Sequence, residues 1–273
     1  MIFNGSLVGG LFPGVDDFVR ALVEGLRQRE GSRARLAVLL TTDGGDVETV
    51  QRIVDVFRHH YDQVSFVIPN YAFSAGTILA LSGDDIFMDY YSRLGPIDPQ
   101  VKNSRGRWVP ALGYLKQWQR LMEKATAGTL NTAEYQLMIS GFDQAELYEY
   151  EQARELSVTL LTEWLVKYKF KNWDVTQDRQ ERVTPEMKQS RAESIARELN
   201  DTDKWHSHGH GISMAILRDD PNLKLLIEDL NGNPERSEIV KQYYGLLEDY
   251  MQRRGQTGAL HAVGRHVPFE VGS

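Results

Sequence analysis

Two hydrophobic periods alternate through the first ~90 residues, and this constrains the fold more than any other feature of the chain. "GVDDFVRALVEGLRQREG" sets Phe18, Val19, Leu22, Val23 and Leu26 on one helical face. Asp16 or Asp17 is placed to cap this helix, and Gly31 to end it. "ARLAVLLTT" is a continuous apolar run of strand length, the pattern of a strand covered on both faces of a parallel sheet. "DVETVQRIVDVFRHHY" returns to helical spacing through Val47, Val50, Val54 and Phe57. "QVSFVIP" predicts a second buried strand, "AGTILALS" a short buried helix and "DDIFMD" a third strand. Such alternation builds right-handed βαβ units, so the chain is expected to be α/β with a parallel sheet.

The second half is helical. "ALGYLKQWQRLMEKA" is amphipathic, and "AELYEYEQARELSVTLLTEWLVKYKF" predicts a long helix. The Tyr and Trp side chains of that long helix read as core or subunit interface. "TPEMKQSRAESIARELN" opens with Thr184 as cap and Pro185 at the first helical position. "PERSEIVKQYYGLLEDYMQRRG" is the last strong helix. Nothing resembles an interdomain linker. The expectation is therefore one domain over 1–255, with a core over 1–110, helical additions over 111–255 and a mobile tail from 256 to 273.

Composition narrows the functions. The 273 residues contain no cysteine, which removes thiol catalysis, cysteine zinc sites and disulfides, and suits a reducing cytoplasm. A formal charge of -7 argues against a nucleic-acid-binding surface. No apolar run approaches the ~20 residues of a spanning helix. The opening "MIFNGSLVGG" lacks the basic start and long apolar stretch of a signal peptide. Together these predict a cytoplasmic protein with no transmembrane segment.

Sites in open α/β sheets form where strands give way to helices. Two such junctions stand out. In "LLTTDGGDVETV", Gly44 and Gly45 free the backbone to turn amides into a cavity at a helix start. The plainer reading is a βα turn with Asp46 capping the helix. In "NYAFSAGTIL", Ser74 stands at a strand-to-helix turn, followed by Ala75 and Gly76. It is either an N-cap or a nucleophile with the Ala75 amide beside it. Combined, the junctions supply a hydroxyl and two N–H donors, the parts that stabilise a tetrahedral oxyanion.

The segments "LAVLLTTDGGDVETVQRI" and "VSFVIPNYAFSAGTILALSGDDIFMDYYSRLGPIDPQ" resemble ClpP-type serine peptidases, within them the signal peptide peptidase A group and its serine dehydrogenase proteinase branch. The resemblance covers Leu36 to Gln100. It implies a ClpP/crotonase-like fold of repeated ββα units and peptide-bond hydrolysis through a serine, without a cofactor or metal. It also implies a homo-oligomeric ring, a peptide or unfolded protein as substrate, and room for a regulatory partner. Gly45 and Ala75 are the expected oxyanion donors; Gly44, Asp46, Phe73, Gly76 and Asp98 are expected around the substrate. Asp98 is also placed to orient a base or simply to form a turn.

A serine nucleophile needs a base. ClpP uses a histidine downstream of the serine, but no histidine lies between Ser74 and His206. The signal peptide peptidase A group uses a lysine, and Lys116 stands at a comparable distance. Burial against Leu112, Leu115 and Trp118 would hold it neutral; Lys102 and Lys124 are weaker candidates. The rival is "KWHSHGHGI", whose His206, His208 and His210 alternate, with His208 the best placed. Two other functions fit the same residues: an acyl-CoA enzyme of crotonase type, and a non-catalytic interaction module.

Overall fold

The structure is a computed structural model that describes residues 1–7, 14–29, 34–102, 108–176 and 180–269. In chain order its elements are β1 (Ile2–Asn4), α1 (Val15–Arg27), β2 (Arg35–Thr41), α2 (Val47–His60), β3 (Gln63–Ile68), β4 (Tyr71–Ala72), α3 (Ala75–Leu81), β5 (Asp85–Met88) and β6 (Arg93–Leu94). There follow β7 (Gln100–Lys102), β8 (Trp108–Pro110), α4 (Ala111–Thr126), α5 (Thr132–Ser140) and α6 (Gln144–Trp164), which continues as a π turn over Leu165–Lys169. The last are α7 (Pro185–Leu199), α8 (Thr202–Trp205), β9 (Ile212–Ser213), α9 (Met214–Asp219), β10 (Glu228–Asp229), α10 (Pro234–Arg254), β11 (Gly258–Ala262) and β12 (Arg265–Phe269).

The expected parallel sheet is present. Its strand order is β10-β5-β3-β2-β1-β11-β12, parallel from β10 to β1. Val38, Phe66 and Ile86 lie side by side across β2, β3 and β5, and all three are fully buried. Helices α1, α2 and α3, with the Val158–Leu165 part of α6 and its π turn, cover this face. The other face is covered less: α10 lays Leu247 and Met251 over Ile2, Leu39 and Ala259. That is why β3 alternates between buried and half-buried residues instead of being buried throughout as its sequence suggests.

A second, three-stranded sheet has the order β4-β6-β9, and the end of β2 reaches it through a bridge from Thr42 to Ala72. The chain thus passes from β3 to β4 to α3, and from β5 to β6. The first is the strand-strand-helix unit expected of a ClpP/crotonase-like fold; the second repeats its strand pair and runs on into β7.

Two differences from expectation matter. Residues Gly258–Phe269 are not a loose tail. They pair as a hairpin, with β11 antiparallel to β1. Glycine and histidine content conceals this: the strand alternation is short, and the turn is closed by Gly264 at φ 75. Helix α1 is preceded by Gly14, with Asp16 and Asp17 in its first turn; Gly31 lies outside the described residues. No described helix is long and apolar enough to cross a membrane.

Candidate active site

The glycine loop follows β2. Gly44 donates its N–H to Thr42 Oγ1 (3.1 Å), and its carbonyl accepts from Leu7 N (2.8 Å). Gly44 and Gly45 take φ of 110 and 153, a region that side chains disfavour. Space makes the same demand. A Cβ on Gly44 would sit 2.8 Å from the Ser74 Cβ, and one on Gly45 would sit 2.3 Å from the Leu7 carbonyl. The loop therefore lies directly against the serine turn because it has no side chains there. Among the described residues, neither the Gly45 nor the Ala75 N–H has a hydrogen-bond acceptor.

Ser74 occupies the N-cap position of α3 but makes no side-chain cap bond. Its backbone sits at φ 53 and ψ −122. Such a conformation costs on the order of 1–3 kcal/mol in a non-glycine residue and persists only where its surroundings impose it. Two bonds do so: Phe73 N donates to Thr42 O (3.0 Å) and Gly76 N to Phe73 O (2.8 Å). The capping alternative for Ser74 is thus not realised, and the residue stands half-buried at a strained strand-to-helix turn.

The histidine cluster reaches the same end of the small sheet. β4 and β6 are parallel, with Ala72 beside Leu94, and β9 is antiparallel, with Ile212 beside Leu94. The chain leaves β4 toward Ser74 and β6 toward Asp98 at the end where it enters β9 from His208. His208 Nδ1 lies 2.9 Å from Asp98 Oδ1, and Asp98 is 1% exposed. The segment before it is anchored by the buried Trp205, whose indole donates to Glu198 O (2.8 Å). His206 is exposed at φ 60 as the cap of α8, and His210 packs against Trp205.

The burial expected of Lys116 is not found. Its side chain is 33% exposed and pairs with Asp203 (2.6 Å) and Asp201 (3.5 Å). Lys116 stands one helical turn after the buried Leu112, at the edge of the buried stripe of α4, and its ammonium is held by the two aspartates. Lys124 pairs with Glu134 on the surface, and the Lys102 side chain lies outside the described residues. Of the residues expected around the substrate, Gly44 touches Ser74, while Asp46 is exposed at the N-cap of α2. Phe73 is half-buried and stacked on Tyr71 at 4.9 Å. Gly76 is instead buried under Thr42, where a Cβ would meet Cγ2 at 2.3 Å, so its smallness serves packing. Sequence reasoning missed Thr42, which orients Gly44, because a threonine ending a strand carries no distinctive signal.

Residues 21–140, which include both junctions, match the family of ClpP-like SDH-type serine proteinases. Two uncharacterized proteins of Methanocaldococcus jannaschii are similar to the chain. One is 30% identical over 118 residues, spanning 43% of this chain and 38% of the relative. The other is 32% identical over 136 residues, spanning 46% and 45%. The chain thus matches less than half the length of each. Among solved structures, a mutant of the 1510-N membrane-bound stomatin-specific protease in complex with a substrate peptide aligns at 12% identity and TM-score 0.45, over 99% of this chain and 87% of that one. ClpP1 from Listeria monocytogenes aligns at 12% identity and TM-score 0.41, over 85% and 92%.

Proposed function

We propose that the chain is a serine peptidase in which Ser74 is the nucleophile, His208 its base and Asp98 the group that orients the base. One observation carries this reading: the His208–Asp98 contact stands at the end of the small sheet where the strained Ser74 turn also stands. In the neutral imidazole, a carboxylate at Nδ1 selects the tautomer with its proton on Nδ1, and Nε2 then carries the free lone pair. That nitrogen takes the Ser74 proton as Oγ attacks a peptide carbonyl, then returns it to the leaving amine. The Gly45 and Ala75 N–H groups hold the oxyanion, each worth roughly 3 kcal/mol. Water then releases the acyl group by the same proton path. Lys116 is not the base in this reading, because its ammonium is engaged by Asp203 and Asp201 while His208 meets the buried Asp98.

The serine–histidine–aspartate set also separates this reading from an acyl-CoA enzyme, which would need the amide pair alone. The substrate is a peptide or an extended protein segment. Assembly into a homo-oligomer belongs to the same reading, with the helical additions supplying contacts. A fluorophosphonate probe tests the chemistry. Wild-type protein should be labelled at Ser74 and should cleave peptides, and Ser74→Ala should do neither while keeping its melting temperature. Peptidase activity that survives in Ser74→Ala would refute the assignment.

A further inference from the structure

Thr77 stands three residues beyond Ser74 in the first turn of α3, with 0% exposure. A hydroxyl in so apolar a helix must find partners. Thr77 Oγ1 lies 2.8 Å from Ala72 O and 3.0 Å from Gly95 O, and it accepts the Gly95 N–H at 2.9 Å. Its single proton serves the carbonyls while its lone pair serves the amide.

The partners give these bonds their meaning. Ala72 ends β4, just before Phe73 and Ser74. Gly95 is the first residue past β6, on the way to Asp98. One hydroxyl therefore ties together two strand ends, one leading to the nucleophile and the other to the residue that holds His208. Gly95 also rests on Phe73, since a Cβ there would meet the ring at 2.8 Å. From Gly95 onward the chain is stiff. Pro96 and Pro99 fix their φ on either side of Ile97 and Asp98, and Ile97 N is tied to Leu199 O at 3.0 Å. A displacement at Gly95 is carried to Asp98 with little chance to relax.

We propose that Thr77 is a positioning residue whose hydroxyl sets the distance between Ser74 and the His208–Asp98 pair. This rests on the catalytic reading above. Thr77→Val keeps the shape of the side chain and removes all three bonds, whereas Thr77→Ser keeps the hydroxyl. The experiment measures acylation of Ser74 by a fluorophosphonate and by an activated ester in full-length wild type and both variants. Melting temperatures and the NMR resonance of the His208 Nδ1 proton are recorded beside it. In Thr77→Val the acylation rate should fall about 100-fold with little change in KM, because a misplacement near 1 Å has that effect. The His208 resonance should shift as well. Thr77→Ser should recover the rate to within about 3-fold and restore the resonance, even if its melting temperature is lowered. Wild-type acylation in Thr77→Val, or failure of Thr77→Ser to rescue while folded, would overturn the role. If the wild type itself resists acylation, the catalytic reading falls and the His208 resonance decides alone. A shift in the valine variant that serine reverses upholds the positioning role, and an unmoved resonance removes it.

Discussion

Lys116 Nζ lies 2.6 Å from Asp203 Oδ2, on the segment that leads through Trp205 to His208. The lysine of α4 thus pairs with the segment that approaches the histidine. Exposed pairs of this kind contribute ~1 kcal/mol or less. Lys116→Ala should therefore keep Ser74 acylation within about 10-fold of wild type, while His208→Ala should lose more than about 10⁴-fold. The measurement is the fluorophosphonate labelling rate of each variant. The reverse ranking would return the base to Lys116.

Gly44 is the more informative glycine to change. Alanine there puts a Cβ 2.8 Å from that of Ser74 at φ 110, whereas at Gly45 it strikes the Leu7 backbone. Gly44→Ala should displace the serine turn and lower acylation by about 10²-fold, comparable to losing one oxyanion donor. Strain should remove roughly 1–3 kcal/mol of stability. Chemical denaturation and labelling rates together check this, and an unchanged rate would mean that the loop does not govern Ser74.

Lys169, at the end of the π turn, donates to the Asp84 carbonyl (3.3 Å). Burial pushes its pKa down to about 8. An unfolded lysine titrates near 10.4, so between about 8 and about 10.4 the unfolded chain binds more protons than the folded one. Stability from this group accordingly rises with pH across that window. Any advantage of Lys169→Met over wild type should be largest below pH ~8 and shrink as pH climbs toward ~10. Urea midpoints for both proteins across this range provide the comparison; parallel curves would show that the ammonium is solvated.

Asp84 gathers Arg58 (2.7 Å), Val64 N (2.8 Å) and Lys171 around a side chain that is 5% exposed. Burial alone would raise its pKa, but the bonds from Lys171, Val64 and Arg58 outweigh it and hold the carboxyl below its usual range. A depressed carboxyl contributes stability above its unfolded value, ~3.9, and loses it as pH falls through the lower folded value. Asp84→Asn should cost about 3–5 kcal/mol near neutrality, because Arg58 keeps its charge in a buried place. The variant should also lose part of the acid-denaturation slope below pH ~4. Equilibrium unfolding at neutral and acid pH tests both.

Strands β2, β3 and β5, the long helices and both candidate junctions were legible in the sequence because they depend on neighbours a few residues apart. Apolar runs such as "ARLAVLLTT" report a sheet wherever they stand, and helical spacing through Val50, Val54 and Phe57 reports a buried face. Ser74 beside a glycine pair was visible for the same reason, since a turn declares itself in its own residues. Thr77 left a trace too, as a polar residue within the apolar "AGTILAL". Three matters were settled only by tertiary structure. Whether Ser74 capped its helix depended on a backbone angle imposed by Thr42, a partner from another strand. The tail joined the sheet because β1, at the far end of the chain, offered an open edge. The partner of His208 is Asp98, 110 residues away, brought near by the pairing of β6 with β9. Two-residue strands have almost no pattern of their own, so that pairing is decided by how the whole core packs. With it is decided that the histidine candidate meets a buried carboxylate, while the lysine candidate meets exposed ones.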